Sequence, residues 1–179
     1  MFVGGARTFK ALDASSGTTL WTFATEAISF ATPAVRDGVV YANGGVGSSS
    51  VLYALDATTG VERWQFSPPD GAGLTTPSVD GEWVYAASSD RVYALNRRDG
   101  TLRWVRDHPR LTRAAIGIAG STLYFFDQSD LIALDAADGA ERWRVPVGGI
   151  VDSGTTVVGG LVLAGTSAGR ILAVGSPSD

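Results

Sequence analysis

Apolar residues fall in short runs of four or five along the whole chain, separated by turn-forming residues. Residues 76–107 show the unit. Thr76-Pro77-Ser78-Val79 is short and ends at Asp80-Gly81. Trp83-Val84-Tyr85-Ala86-Ala87 is rich in β-formers and ends at Ser88-Ser89-Asp90. Arg91-Val92-Tyr93-Ala94-Leu95 repeats that character, Asn96 to Gly100 breaks it, and Thr101-Leu102-Arg103-Trp104-Val105 alternates with period two. Short β-rich runs bounded by Gly, Asp, Asn and Ser read as strands and tight turns. No window sustains helical spacing over the roughly 10–12 residues a helix needs. The unit is therefore four antiparallel strands of about five residues each.

That unit recurs. Ala11-Leu12-Asp13 is followed by Gly17 and Trp21, Ala54-Leu55-Asp56 by Gly60 and Trp64, Ala94-Leu95-Asn96 by Gly100 and Trp104, and Ala133-Leu134-Asp135 by Gly139 and Trp143. Leu12, Leu55, Leu95 and Leu134 stand 43, 40 and 39 residues apart. The motifs span 11–21, 54–64, 94–104 and 133–143, and a decayed fifth copy lies at 171–174, Ile171-Leu172-Ala173-Val174. A period near 40 residues suits helical pairs or four-stranded propeller blades. The strand content selects blades, and residues 1–179 read as a single all-β domain. Phe2-Val3, Phe9 to Asp13 and Thr18 to Phe23 supply strands two to four of a first blade, three whole blades follow, and three strands close the chain, 18 in all. About four and a half repeats are present, which describes a partial propeller or half-ring.

The motif has a physical rationale. Asp13, Asp56, Asn96 and Asp135 end strand three, where a short polar side chain can cap turn amides. Gly17, Gly60, Gly100 and Gly139 follow where the turn calls for positive φ. Trp21, Trp64, Trp104 and Trp143 stand in strand four, positioned to bury an indole against the next blade while its N–H finds a carbonyl. One blade cannot bury both its faces, so stacked blades make the core.

On these residues, Ala54-Leu55-Asp56-Ala57-Thr58-Thr59-Gly60-Val61-Glu62-Arg63-Trp64 above all, the chain resembles the pyrroloquinoline-quinone (PQQ)-type, or quinoprotein-like, propeller repeat with its tryptophan-docking motif. The resemblance covers essentially the whole chain. It implies a β-propeller. It leaves activity open, because the family holds quinoprotein dehydrogenases as well as non-catalytic propellers such as BamB-like lipoproteins and extracytoplasmic sensor domains. It also implies an extracytoplasmic setting, in periplasm or at a cell surface, although Met1 to Arg7 carry no charged segment followed by a long apolar run and read as no signal peptide.

Composition narrows the chemistry. There is no Cys, which excludes disulfides, zinc–thiolate sites and thiol nucleophiles. Lys and Arg number 14 against 18 Asp and Glu, a net charge of −4. The acidic balance argues against nucleic-acid binding, which needs a basic footprint. No apolar run is long enough for a transmembrane helix. A quinoprotein dehydrogenase would, by the resemblance, need a catalytic Asp and Ca²⁺ held by Glu, Asn and Asp. With Glu only at 26, 62, 82 and 141 and Asn only at 43 and 96, no catalytic, cofactor-binding or metal residue can be assigned. PQQ with calcium stays as the alternative cofactor reading.

The remaining features are local. His108, the single histidine, sits in a loop beside Asp107 with no partner to orient it. Asp127-Gln128-Ser129-Asp130 places two carboxylates in one turn, open to a Ca²⁺ reading and to a turn-capping reading. Gly44-Gly45-Val46-Gly47-Ser48-Ser49-Ser50 is a long flexible turn without the helix or Gly-Lys pair of a phosphate cradle. Arg97, Arg98, Arg103, Arg106, Arg110 and Arg113 crowd a short stretch offset only by Asp99 and Asp107. This is either a solvated rim or a docking patch for an acidic partner. The reading as a whole is a non-catalytic scaffold or recognition module that binds a protein or small ligand through blade-face loops, or that self-associates to complete the propeller. A quinoprotein dehydrogenase fragment and an extracytoplasmic ligand sensor are the alternatives.

Overall fold

The computed structural model describes residues 1–108, 115–127, 130–147, 154–166 and 169–175. Every regular element in them is a β-strand. The first sheet is β1 (Phe2–Gly5), β2 (Thr8–Leu12) and β3 (Thr19–Ala24). The second holds β4 (Ser29–Phe30), β5 (Ala34–Arg36), β6 (Val39–Val46), β7 (Ser49–Asp56) and β8 (Glu62–Phe66). The third is β9 (Ser78–Asp80), β10 (Trp83–Ala87), β11 (Arg91–Asn96) and β12 (Leu102–Asp107). The fourth is β13 (Gly117–Ala119), β14 (Thr122–Phe126), β15 (Asp130–Asp135) and β16 (Glu141–Pro146). The last is β17 (Thr156–Val158), β18 (Leu161–Gly165) and β19 (Ile171–Gly175). Each is an antiparallel meander. The first strands β5, β9, β13 and β17 touch in succession, so they gather on one side and the sheets fan outward as blades of a partial propeller.

The described residues hold 19 strands, one more than the 18 expected. Both β4 and β5 pair with β6, β5 at Val39 to Tyr41 and β4 at Gly44 and Gly45. The hairpin that lengthens the first repeat step also lengthens β6. Its extra reach is met by a second short edge segment, set off from the first by Pro33.

Strands two and three of the inner blades are apolar at nearly every position because both their faces are covered. Val84, Ala86, Tyr93 and Leu95 pack back onto Tyr41, Leu52, Ala54 and Trp64 of the second blade. Their alternates Tyr85, Ala87, Val92 and Ala94 pack forward onto Leu123, Phe125, Ile132 and Leu134 of the fourth. Fourth strands expose most of their residues and keep the period-two pattern, with Trp64 and Trp104 buried among exposed neighbours. The core is thus four seams between five sheets rather than one central mass.

Strand order gives the propeller two ends. The turns between strands one and two and between strands three and four lie at one end, here the turn face. The hairpins between strands two and three and the connections to the next blade lie at the other, the loop face.

Candidate functional site

The repeat motif builds the seams on the turn face. Oδ1 of Asp13 accepts the Ser15 and Ser16 amides, Asp56 those of Thr58 and Thr59, Asn96 that of Arg98 and Asp135 that of Ala137. Gly17, Gly60, Gly100 and Gly139 close these turns at φ between 71° and 74°. Trp21 donates its indole N–H to Ala57 O at 3.0 Å, Trp64 to Arg97 O at 2.9 Å and Trp104 to Ala136 O at 3.2 Å. Each ring lies flat on the next blade's glycine: a Cβ at Gly60, Gly100 or Gly139 would stand 2.6–2.8 Å from Trp21, Trp64 or Trp104. Trp143 is 37% exposed. At the opposite end nothing among the described residues lies within 4 Å of a Cβ placed on Gly17.

One partner of each indole escapes motif reading. Phe2, Tyr41, Tyr85 and Tyr124 meet Trp21, Trp64, Trp104 and Trp143 of their own blade at centroid distances of 5.8–6.1 Å. The motif alanine lies between them in the ladder, as in Tyr85–Ala94–Trp104. The strands bearing the two rings are about 10 Å apart, and only a methyl-sized residue lets the rings lean together over it. The signal is present in the sequence: the aromatic precedes the alanine by nine residues in three copies, but by thirteen in the second, whose hairpin is longer.

Five of the turn carboxylates share an electrostatic consequence. Amide, hydroxyl and guanidinium donors hold Asp13, Asp56 and Asp135 below the ordinary carboxylate range, Ser15 leading at Asp13, Arg63 at Asp56 and Arg142 at Asp135. Hydrogen bonds from Thr101 and Arg97 act likewise on Asp99 and Asp37. These donors converge only in the folded chain, so on acidification the unfolded chain takes up protons first. Thermal stability should therefore hold from neutral pH to about pH 5 and fall progressively below about pH 4, the ordinary Asp range. Melts followed by circular dichroism across that range check this, and Asp13→Asn should shallow the acid slope.

The structure distributes the arginines along two seams. Arg97 pairs with Asp37 between the second and third blades, and Arg98 beside it is exposed with no side-chain hydrogen bond or ion pair among the described residues. Arg103 lies over the Trp83 ring at 3.9 Å. Arg106 donates to Val105 O and lays its Cγ against Gly139. Arg110 and Arg113 lie outside the described residues. Arg63 and Arg142 pair with the motif carboxylates Asp56 and Asp135 of their own blades. Where the motif carries Asn96 instead, Arg103 has no carboxylate in that place and takes the indole.

Asp127 and Asp130, open to a calcium reading, both receive Arg144, which also pairs with Glu141. A fixed guanidinium thus stands on the charge a metal would neutralise. Among the described residues no three carboxylates or imidazoles gather at one point, so these residues form no calcium cradle of a quinone site. His108 is half-buried, edge-on to Phe125, with its amide bonded to Asp90 O. Burial pushes its imidazole below the ordinary value against the pull of Glu141.

Cavities open on both faces among the described residues. On the loop face a cleft of about 670 Å³ lies between the Gly45–Ser50 hairpin and the segment 70–76. It is walled by Gly, Ser and Thr with Asp70 as its one ionisable side chain. The walls are held from below: buried Asn43 donates to the Leu74 and Thr75 carbonyls, Ser50 accepts the Leu74 amide, and Arg91 ties Asp70 to Asp107. On the turn face a second cavity, about 430 Å³, opens between the second and third blades at Tyr41, Arg63, Arg97 and Arg98.

Residues 1–115 and 88–176 match the family described as outer membrane protein assembly factor BamB. The chain is 33% identical over 150 residues to the serine/threonine-protein kinase AfsK of Streptomyces griseus, covering 74% of this chain and 18% of the kinase. It is 29% identical over 174 residues to the tetrathionate hydrolase of Acidithiobacillus ferrooxidans, covering 82% of this chain and 33% of that enzyme. It thus spans a third or less of either relative's length. Among solved structures, BamB from Moraxella catarrhalis superposes with a TM-score of 0.68 at 20% identity, over 96% of this chain and 59% of that one.

Proposed function

This chain belongs to the BamB-type family of PQQ-like repeats, and on that premise we propose that it is a non-catalytic scaffold, working outside the cytoplasm, whose loop face recognises a protein partner. The loop-face cleft carries this reading. Its walls are glycine, serine and exposed peptide groups, suited to polar and main-chain recognition. Its floor is anchored by hydrogen bonds from Asn43 and to Ser50. It offers no acid, base and nucleophile in hydrogen-bond reach of one another, the arrangement that chemistry requires. BamB relatives, named for outer-membrane protein assembly, support a role in binding. We further propose that residues 1–179 act as one domain of repeats, and that the bare turn at Gly17 accepts another blade of the same kind, from a partner or a second copy.

A photo-crosslinking residue at Ala72, on the loop face, should capture a discrete partner in envelope extracts, whereas the same residue at Asp138, on the turn face, should not. Equal capture from both positions would defeat the loop-face assignment. Incubation with PQQ and Ca²⁺ should leave no bound chromophore and no alcohol-dependent dye reduction. Either signal would replace the scaffold reading with the dehydrogenase one.

The likeness to AfsK favours a second reading, in which the propeller is the sensing part of a larger signalling protein. In that case a small molecule, rather than a protein, should protect the loop-face position from labelling.

A further inference from the structure

The turn-face cavity lies where β6 starts with a small residue, Val39. At the seam between the third and fourth blades, Trp83 starts β10, its ring is covered by Arg103 at 3.9 Å, and the Tyr85 hydroxyl approaches Ala136 O at 3.4 Å. One seam earlier the same ladder position, the start of β6, is Val39. Arg63 there has turned to Asp56. About 430 Å³ is left open, within the range of small-molecule sites. Tyr41, the counterpart of Tyr85, lines that space fully buried, and its hydroxyl has no hydrogen-bond partner. The charged groups it feels are Arg97, Arg63 and Asp37, all on the cavity wall. A buried hydroxyl without a partner is costly, and its side chain lines a space whose counterpart one seam on is the place of the Trp83 indole.

We propose that this cavity binds a planar heteroaromatic molecule of one or two fused rings, seated where the Trp83 indole sits one seam further on, with the Tyr41 hydroxyl as its hydrogen-bonding partner. The ring is held by stacking and burial between the seam side chains. The lining balances Asp37, Glu82 and Asp99 against Arg63, Arg97 and Arg98, so the ligand is not selected for net charge. The site lies on the face opposite the loop-face cleft and does not depend on the scaffold reading.

The test is a titration of the isotopically labelled 179-residue chain with indole, followed by amide chemical shifts. Saturable shifts are expected at Val39, Tyr41 and Arg97, with a dissociation constant of about 1 mM, the scale for a ligand of this size. Val39→Trp, which places an indole in the cavity covalently, should abolish them. Tyr41→Phe should weaken binding about fivefold, one hydrogen bond's worth, with the remaining amide spectrum unchanged. Cyclohexanol, polar but not planar, should produce no saturable shift at these residues. The proposal fails if indole at about 10 mM leaves these amides unmoved, or if Tyr41→Phe binds as tightly as the parent. It fails equally if a folded Val39→Trp chain still responds. Should Val39→Trp not fold, the Tyr41→Phe affinity and the cyclohexanol control decide.

Discussion

Trp64→Ala should destabilise the chain by about 3–5 kcal/mol, the range for removing a large buried aromatic. The indole is 7% exposed, meets Tyr41 at 5.8 Å, rests on Gly100 and donates to Arg97 O. Removing it opens a cavity in a seam that no other element can close, and it leaves that carbonyl without its donor. Trp143→Ala should cost only about 1–2 kcal/mol, because its ring is 37% exposed and has no acceptor among the described residues. Urea midpoints of the two variants against the parent provide the measurement. The position of the loss is as informative as its size. In a stack that interacts only with neighbours, Trp64→Ala should weaken amide-exchange protection in β7 and β10 before β15. Equal destabilisation by the two variants would show that the indoles do not act through the next blade's turn.

Gly100→Ala against Gly17→Ala separates the backbone requirement from the contact. Both glycines have φ near +70°, at 73° and 71°. An L-residue held in that region costs about 1–2 kcal/mol, and Gly17→Ala should lose no more, since nothing lies within 4 Å of the added methyl. At Gly100 the methyl would fall 2.7 Å from Cε3 of Trp64, well inside the roughly 3.5–4.0 Å at which carbons attract. The ring must lift, and its bond to Arg97 O must stretch. Gly100→Ala should therefore lose about 3–5 kcal/mol. The difference between the variants, read from denaturant unfolding, measures the indole–glycine contact alone. A difference near zero would mean that these glycines serve only the turn.

Much of the architecture could be read from one dimension because the repeat writes its spacing four times over. The alternation in strand four, the turn glycines and the docking indoles all follow from local rules. What could not be read depends on which faces meet across a seam. The Tyr41–Trp64 contact hid because the long hairpin shifts Tyr41 by four positions from the spacing of its counterparts. The crowded arginines looked like one patch, yet Arg97 serves one seam while Arg103 and Arg106 serve the next. The ion pairs of Asp127 and Asp130 could not be read because Arg144, fourteen residues beyond Asp130, comes next to them only through the strand three–four hairpin. The turn-face cavity is lined by Val39 where the repeat counterpart is Trp83, a difference whose meaning appears only when two seams are laid side by side.

The indole always comes before the glycine that receives it, by 39, 36 and 35 residues at the three covered seams. On a ribosome this sets an order of events. Each blade leaves the exit tunnel with its ring in water and stays so until roughly another blade has emerged, about 2–8 s at ordinary elongation rates. During that interval the nascent chain carries an uncovered apolar face at its growing end, and a holding chaperone or a slowed codon run just past each tryptophan would act there.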